Sequence, residues 1–214
     1  MSTVTSMQSQ KISSYLLGIA IIVLLPLAFL IEHRENNTWV NRLIFPDFVS
    51  EENRHTPIIT DGTFLPPVVS ENTHLTVNQN PIILSGTTTV PKHVSLVIEP
   101  DTTIYAHEYA TLIVEGTLII QGTDKKPVTF TTNEKHPSNK VWSGIMTQAG
   151  GHTTIDHARL SFASPAISCV AGSQVAVKNT RLEDGNTGIW QASSTCTTEE
   201  TTFKRIHDEY VRTF

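Results

Sequence analysis

Apolar and polar positions divide the chain into stretches of different character. Ile12 to Ile31 contains no charged residue and is almost wholly apolar from Tyr15 onward. Twenty residues at helical rise cover about 30 Å, the thickness of a bilayer's hydrocarbon core. Inside lipid a helix satisfies its own backbone hydrogen bonds. Residues 12–32 are therefore expected to form a transmembrane signal-anchor helix behind an N-terminal tail, residues 1–11. The competing reading is a cleaved signal peptide. Against it, the run is longer than a usual h-region, and Pro26-Leu27-Ala28 is a poor cleavage site. Residues 33–74 lack sustained periodicity and contain Pro66-Pro67, which reads as extended linker. Within them Trp39, Val40, Leu43, Ile44, Phe45, Phe48 and Val49 either lie on the membrane surface or cap the domain that follows.

From about Leu75 short apolar segments alternate with Gly, Thr, Asn and Asp turns: SLVIE at 95–99, TLIVEG at 111–116, TLIIQG at 117–122 and VTFTT at 128–132. Period-two alternation with β-branched residues predicts strands. Gly-Thr recurs at 62, 86, 116 and 122, with the glycine expected to supply a positive φ at a corner. Leu96 and Ile98 recur 22 residues later as Leu118 and Ile120. Ile155, Arg159, Leu160 and Ile167 recur at the same offset as Val177, Arg181, Leu182 and Ile189. A fixed period of this size signals a solenoid whose repeats stack to bury a shared core. The register slips between about 133 and 141, where a polar insertion leaves one corner of a coil. A leucine-rich repeat would need an L-x-x-L-x-L pattern and an Asn ladder, both missing here. The fold expected is all-β: a short parallel β-helix of about five coils over residues 75–195, preceded by one N-terminal transmembrane helix. Phe203, Ile206, Tyr210 and Val211 have helical spacing, so residues 196–214 are expected to form a C-terminal tail or cap.

The run SGTTTVPKHVSLVIEPDTTI, then LIVEGTLIIQGTDKKPVTFTT, then VWSGI resembles right-handed parallel β-helix repeat proteins of the pectin-lyase-like superfamily. The resemblance covers about residues 75–192. One departure is Asp101, where that pattern usually has glycine after Glu-Pro; Asp tolerates the left-handed conformation better than most residues. The resemblance implies a right-handed β-helix outside the cytoplasm, and the superfamily mixes enzymes, adhesins and proteins without activity. It also bears on orientation. Lys11 precedes the apolar run, whereas Arg34, Arg42 and Arg54 follow it, a count that alone would leave the C-terminal part in the cytoplasm. The resemblance argues for the opposite: a single-pass membrane protein with its C-terminal domain periplasmic or on the cell surface.

Composition narrows the function. A net charge of -5, with no basic run longer than Lys125-Lys126, argues against nucleic-acid binding. Cys169 and Cys196 belong to no metal-ligand spacing; in an oxidising compartment they are able to pair, and otherwise they are two unrelated thiols. No phosphate-loop, dinucleotide, G-x-S-x-G or H-E-x-x-H pattern occurs, so no cofactor or metal is expected. Asp156, His157 and Arg159, with Lys178, Asn179 and Arg181 one repeat later, form the one candidate constellation. As an enzyme site it would use Asp156, Arg159 and Arg181 catalytically. As a binding site it would use His157, Lys178, Asn179 and Arg181. The plain alternative is a solvated outer face. Glycoside hydrolysis needs two carboxylates across a bond, and Glu183 and Asp184, being adjacent, point opposite ways in an extended segment. The expected function is a membrane-anchored module at the cell envelope, non-enzymatic, in binding or structure. Its partners would be the bilayer through residues 12–31 and a polysaccharide or an envelope protein. The alternative is a small or degenerate polysaccharide lyase or hydrolase.

Overall fold

The computed structural model describes residues 61–134, 137–138, 141–192 and 196–213. The expected transmembrane segment and the apolar stretch at Trp39–Val49 lie outside the described residues. Among the described residues no helix is long and apolar enough to cross a membrane.

The strands wind in coils of three faces. The first coil holds β1 (Thr63–Phe64), a bridge at Val68, and β2 (Thr73–Leu75). The second holds β3 (Ile82–Leu84), β4 (Thr87–Val90) and β5 (Ser95–Ile98); the third holds β6 (Thr103–Ala106), β7 (Thr111–Val114) and β8 (Thr117–Gln121). The fourth holds β9 (Val128–Thr131), β10 (Ile145–Thr147) and β11 (His152–Asp156); the fifth holds β12 (Ala158–Ser161), β13 (Ile167–Cys169) and β14 (Gln174–Lys178). In the sixth, β15 (Arg181–Gln191) bends across the first two faces before β16 (Cys196–Glu199), and β17 (Thr202–Arg212) lies parallel to β15. Every ladder between named strands is parallel. The architecture is thus an all-β parallel solenoid of the right-handed type, with about six turns rather than five.

Each face contributes a column of inward side chains. Ile98, Ile120, Ile155 and Val177 stack on the third face, Leu112, Ile145, Ile167 and Ile189 on the second, and Ile104, Phe130, Leu160 and Leu182 on the first. All of them are fully buried. Burying one such side chain contributes about 1.5–3 kcal/mol, which is why like residues recur at the same depth in successive coils. The 22-residue offset is this register.

Corners depend on left-handed residues. Between the third and first faces these are Asp101 (φ 68°), His157 (50°), Asn179 (46°) and Glu200 (47°); between the first and second they are Tyr109 (60°), Phe162 (62°), Asp184 (57°) and Arg205 (54°). Asp101 thus takes the place that glycine has in the resembling pattern. The Gly-Thr glycines do not: among the described residues, none of those at 62, 86, 116 and 122 has a positive φ. At Gly116 and Gly122 the constraint is close approach, because a Cβ would stand 2.2 Å from the Pro91 carbonyl oxygen and 2.0 Å from that of His157.

Two insertions leave corners without disturbing the columns. A tight turn at Thr123–Lys126 follows β8, and the 133–141 segment follows β9. Trp142 brings the chain back. Its ring stacks on Phe130 with centroids 5.7 Å apart, and its Nε1 donates to the Ser161 carbonyl at 2.9 Å.

Residues 196–212, expected as a tail with helical spacing, are strands. The left-handed corner at Arg205 breaks the two-residue alternation, so inward positions fall at 203, 206 and 210. Gaps of three and four imitate a helix; Leu182, Gly185 and Ile189 show the same spacing in β15.

Cys169, at the end of β13, and Cys196, at the start of β16, form a disulfide with Cα atoms 6.0 Å apart. It spans 27 residues and ties the second face to the third around the sixth coil. For a loop of this length, Cys196→Ser is expected to lower unfolding stability by about 3 kcal/mol. Urea denaturation with and without reductant checks this: wild type should fall to the variant's stability on reduction, and the variant should not respond.

Candidate functional site

The corner between the third and first faces carries an open polar cleft of about 300 Å³. Its principal polar lining is Asp124, His157, Arg159, Asn179, Arg181 and Glu200. Three successive corners build its floor. In each, a third-face strand ends and one left-handed residue turns the chain; after the first two, at His157 and Asn179, a buried residue, Ala158 or Thr180, leads into the next strand. The Thr123–Lys126 turn supplies Asp124 as a wall.

Arg159 and Arg181 occupy outward positions because their neighbours Leu160 and Leu182 point into the core. They are register partners in the β12–β15 ladder, one strand spacing of about 4.8 Å apart. Two like charges this close repel and together attract an anion. Arg159 Nε has Glu183 Oε1 at 3.7 Å, whereas Arg181 has no ion-pair partner among the described residues.

His157 is held on both sides. Its Nδ1 lies 2.8 Å from Asp156 Oδ1 and its Nε2 lies 3.0 Å from Asp124 Oδ1. Asn179 Nδ2 donates to the same Asp156 oxygen at 2.9 Å. Both ring nitrogens are turned to carboxylates, so neither is presented to a ligand. Asp156 does not line the cleft; it fixes the two residues that do.

The structure therefore gathers four of the sequence candidates, His157, Arg159, Asn179 and Arg181, around one opening, with Asp156 behind them. Lys178 does not join them. Its Nζ lies 2.7 Å from Glu199 Oε2, and that hydrogen bond, with the Glu199 charge, raises its pKa. Glu183 and Asp184 diverge, the first toward Arg159 and the second to Arg205. Trp142 is a core residue. Sequence reasoning missed Asp124 and Glu200. Asp124 lies in the turn that interrupts the period, and Glu200 stands 21 residues after Asn179, one short of the repeat.

Outside the cleft, burial lowers the pKa of His107, whose Nε2 is buried without a partner. Burial, and then the Glu108 charge, raises that of Glu134. Among the described residues no group of three or more His, Cys, Asp or Glu is placed to hold a metal ion.

The family model of the pectate-lyase like beta helix domain matches residues 68–171. The match runs from the first coil through β13 and agrees with the resemblance in the sequence. It includes Asp124, His157 and Arg159 and stops short of Asn179, Arg181 and Glu200. No curated protein and no solved structure matches the chain.

Proposed function

We propose that this chain, with a pectate-lyase-like β-helix over residues 68–171, is a membrane-anchored extracytoplasmic module that binds an acidic carbohydrate without turning it over. The observation that carries the reading is the pairing of Arg159 with Arg181 beside a histidine committed to two carboxylates. Guanidinium forks suit carboxylate or sulfate groups on a sugar, while the groups best able to move a proton are bonded to one another. The uncharged run at residues 12–31 supports anchoring, and the superfamily resemblance supports the outer side of the membrane.

Titration calorimetry with polygalacturonate and dextran sulfate is expected to show salt-sensitive binding. Arg181→Ala should weaken it about 10- to 100-fold, as for loss of a charge-assisted contact. Arg159→Ala should do likewise. No binding to either polymer would sink the carbohydrate reading. New reducing or unsaturated ends, abolished by Asp156→Asn or Arg159→Ala, would replace it with the lyase or hydrolase reading, which the family match favours. Protease digestion of the β-helix from outside intact spheroplasts tests the orientation; protection until lysis would overturn it.

A further inference from the structure

The polar cleft carries its charges in a fixed order along the stack. Thr129, Arg159, Arg181 and Thr202 are register partners in four successive first-face strands. Asp124 lies in the turn that leads into the first of these strands, and Glu200 in the corner that leads into the last. Four rungs therefore carry, in order, an acid, two bases and an acid, over three strand spacings or about 14 Å. We infer that the cleft selects a short acidic block, one or two charged sugars set between uncharged ones, over a continuous polyanion. The inference rests on the carbohydrate reading of this cleft and adds the charge pattern of the ligand.

A sugar residue in an extended glycan advances the chain by close to one strand spacing. A glycan lying along the stack, with acidic residues against Arg159 and Arg181, sets its next residue on each side beside Asp124 and Glu200. Acidic neighbours there meet like charge. Uncharged neighbours instead donate their hydroxyls to the same carboxylates. One polymer gains at all four rungs and the other at two only. Selectivity of this kind comes from repulsion of the competitor as much as from attraction.

Neither acid is cancelled by its surroundings. Glu200 has no ion-pair partner among the described residues. Asp124 has His157 Nε2 at 3.0 Å, but the same ring holds Asp156 at 2.8 Å. One imidazole between two carboxylates leaves the trio net negative at neutral pH, whether or not the ring is protonated. The Asp124 side chain is 94 % exposed and open to a ligand. Lys125 and Lys126 do not line the cleft, and Lys126 and Lys178 are ion-paired with Asp101 and Glu199.

The test keeps the polymer backbone constant and varies its charge spacing. Titration calorimetry on the full-length chain in detergent micelles compares oligogalacturonates with none, about half or all of their carboxylates methyl-esterified. Wild type is expected to bind the half-esterified chains about tenfold more tightly than the unesterified ones, although they carry fewer charges. Fully esterified chains, which offer the arginines no anion, should bind most weakly. Asp124→Asn and Glu200→Gln should each narrow the preference. The double variant should abolish it by binding the unesterified chains about tenfold more tightly than wild type does. Unchanged thermal unfolding shows that the variants are folded; should Glu200→Gln disturb its corner, Asp124→Asn, on an exposed side chain, decides alone. Affinity that rises steadily with charge density overturns the inference and leaves the carbohydrate reading standing. So does a preference for half-esterified chains that survives both substitutions. No binding to any of the three overturns both.

Discussion

Replacing Trp142 with alanine is expected to lower unfolding stability by about 3–5 kcal/mol. The ring is 1 % exposed and stacks on Phe130, which stands in the first-face column between Ile104 and Leu160. Truncation leaves a void beside that column, and the backbone around it is fixed by ladders on both sides, so it closes only in part. It also strips the Ser161 carbonyl of its donor. The position matters for a further reason: Trp142 is where the chain rejoins the stack after the 133–141 insertion. Trp142→Phe keeps the stacking and loses the hydrogen bond, so it should cost about 1–2 kcal/mol. Urea unfolding monitored by circular dichroism measures both. A loss below about 1 kcal/mol for the alanine variant would mean that the ring is not part of the core.

Gly122→Ala is expected to cost about 3–4 kcal/mol and to disable the cleft. The new Cβ would meet the His157 carbonyl oxygen at 2.0 Å and the Val128 nitrogen at 2.9 Å. Both are backbone atoms and hydrogen-bonded to each other, so neither gives way as a flexible side chain would. The corner carrying His157 has to move, and with it the contacts to Asp124 and Asp156. Affinity for the polymer should therefore fall in a variant that changes no cleft side chain. Gly86→Ala is the control. Nothing lies within 4 Å of its Cβ and its φ is not positive, so the substitution should stabilise by about 0.5 kcal/mol. If the two variants behaved alike, close approach between coils would not be what Gly122 provides.

What the sequence disclosed followed the regularity of the stack. Where two coils meet without an insertion, a 22-residue offset was visible: Leu96 over Leu118, and Ile155, Leu160 and Ile167 over Val177, Leu182 and Ile189. The same offset made the Arg159–Arg181 pair and the His157–Asn179 corner legible. Elsewhere the regularity is hidden. The first coil has strands of two and three residues around Pro66-Pro67, too short for alternation to register. At the other end, β17 turns a corner within one strand, and its inward residues acquire a helix-like spacing. The Gly-Thr glycines were assigned a backbone conformation when their constraint is an approach between coils distant in sequence, which no local pattern carries. Asp124 escaped notice for a related reason: it reaches His157 only because the turn folds back over the next coil.

The covalent tie at the C-terminal end changes the order in which the molecule comes apart. In a stack where each coil touches only its neighbours, the ends open first, and amide exchange is expected to quicken step by step toward them. Cys169 belongs to the fifth coil and Cys196 to the sixth, so the last full coil is not able to leave alone. Fraying from that end must release two coils as one unit, and their amides should exchange at a common rate until a reductant separates them.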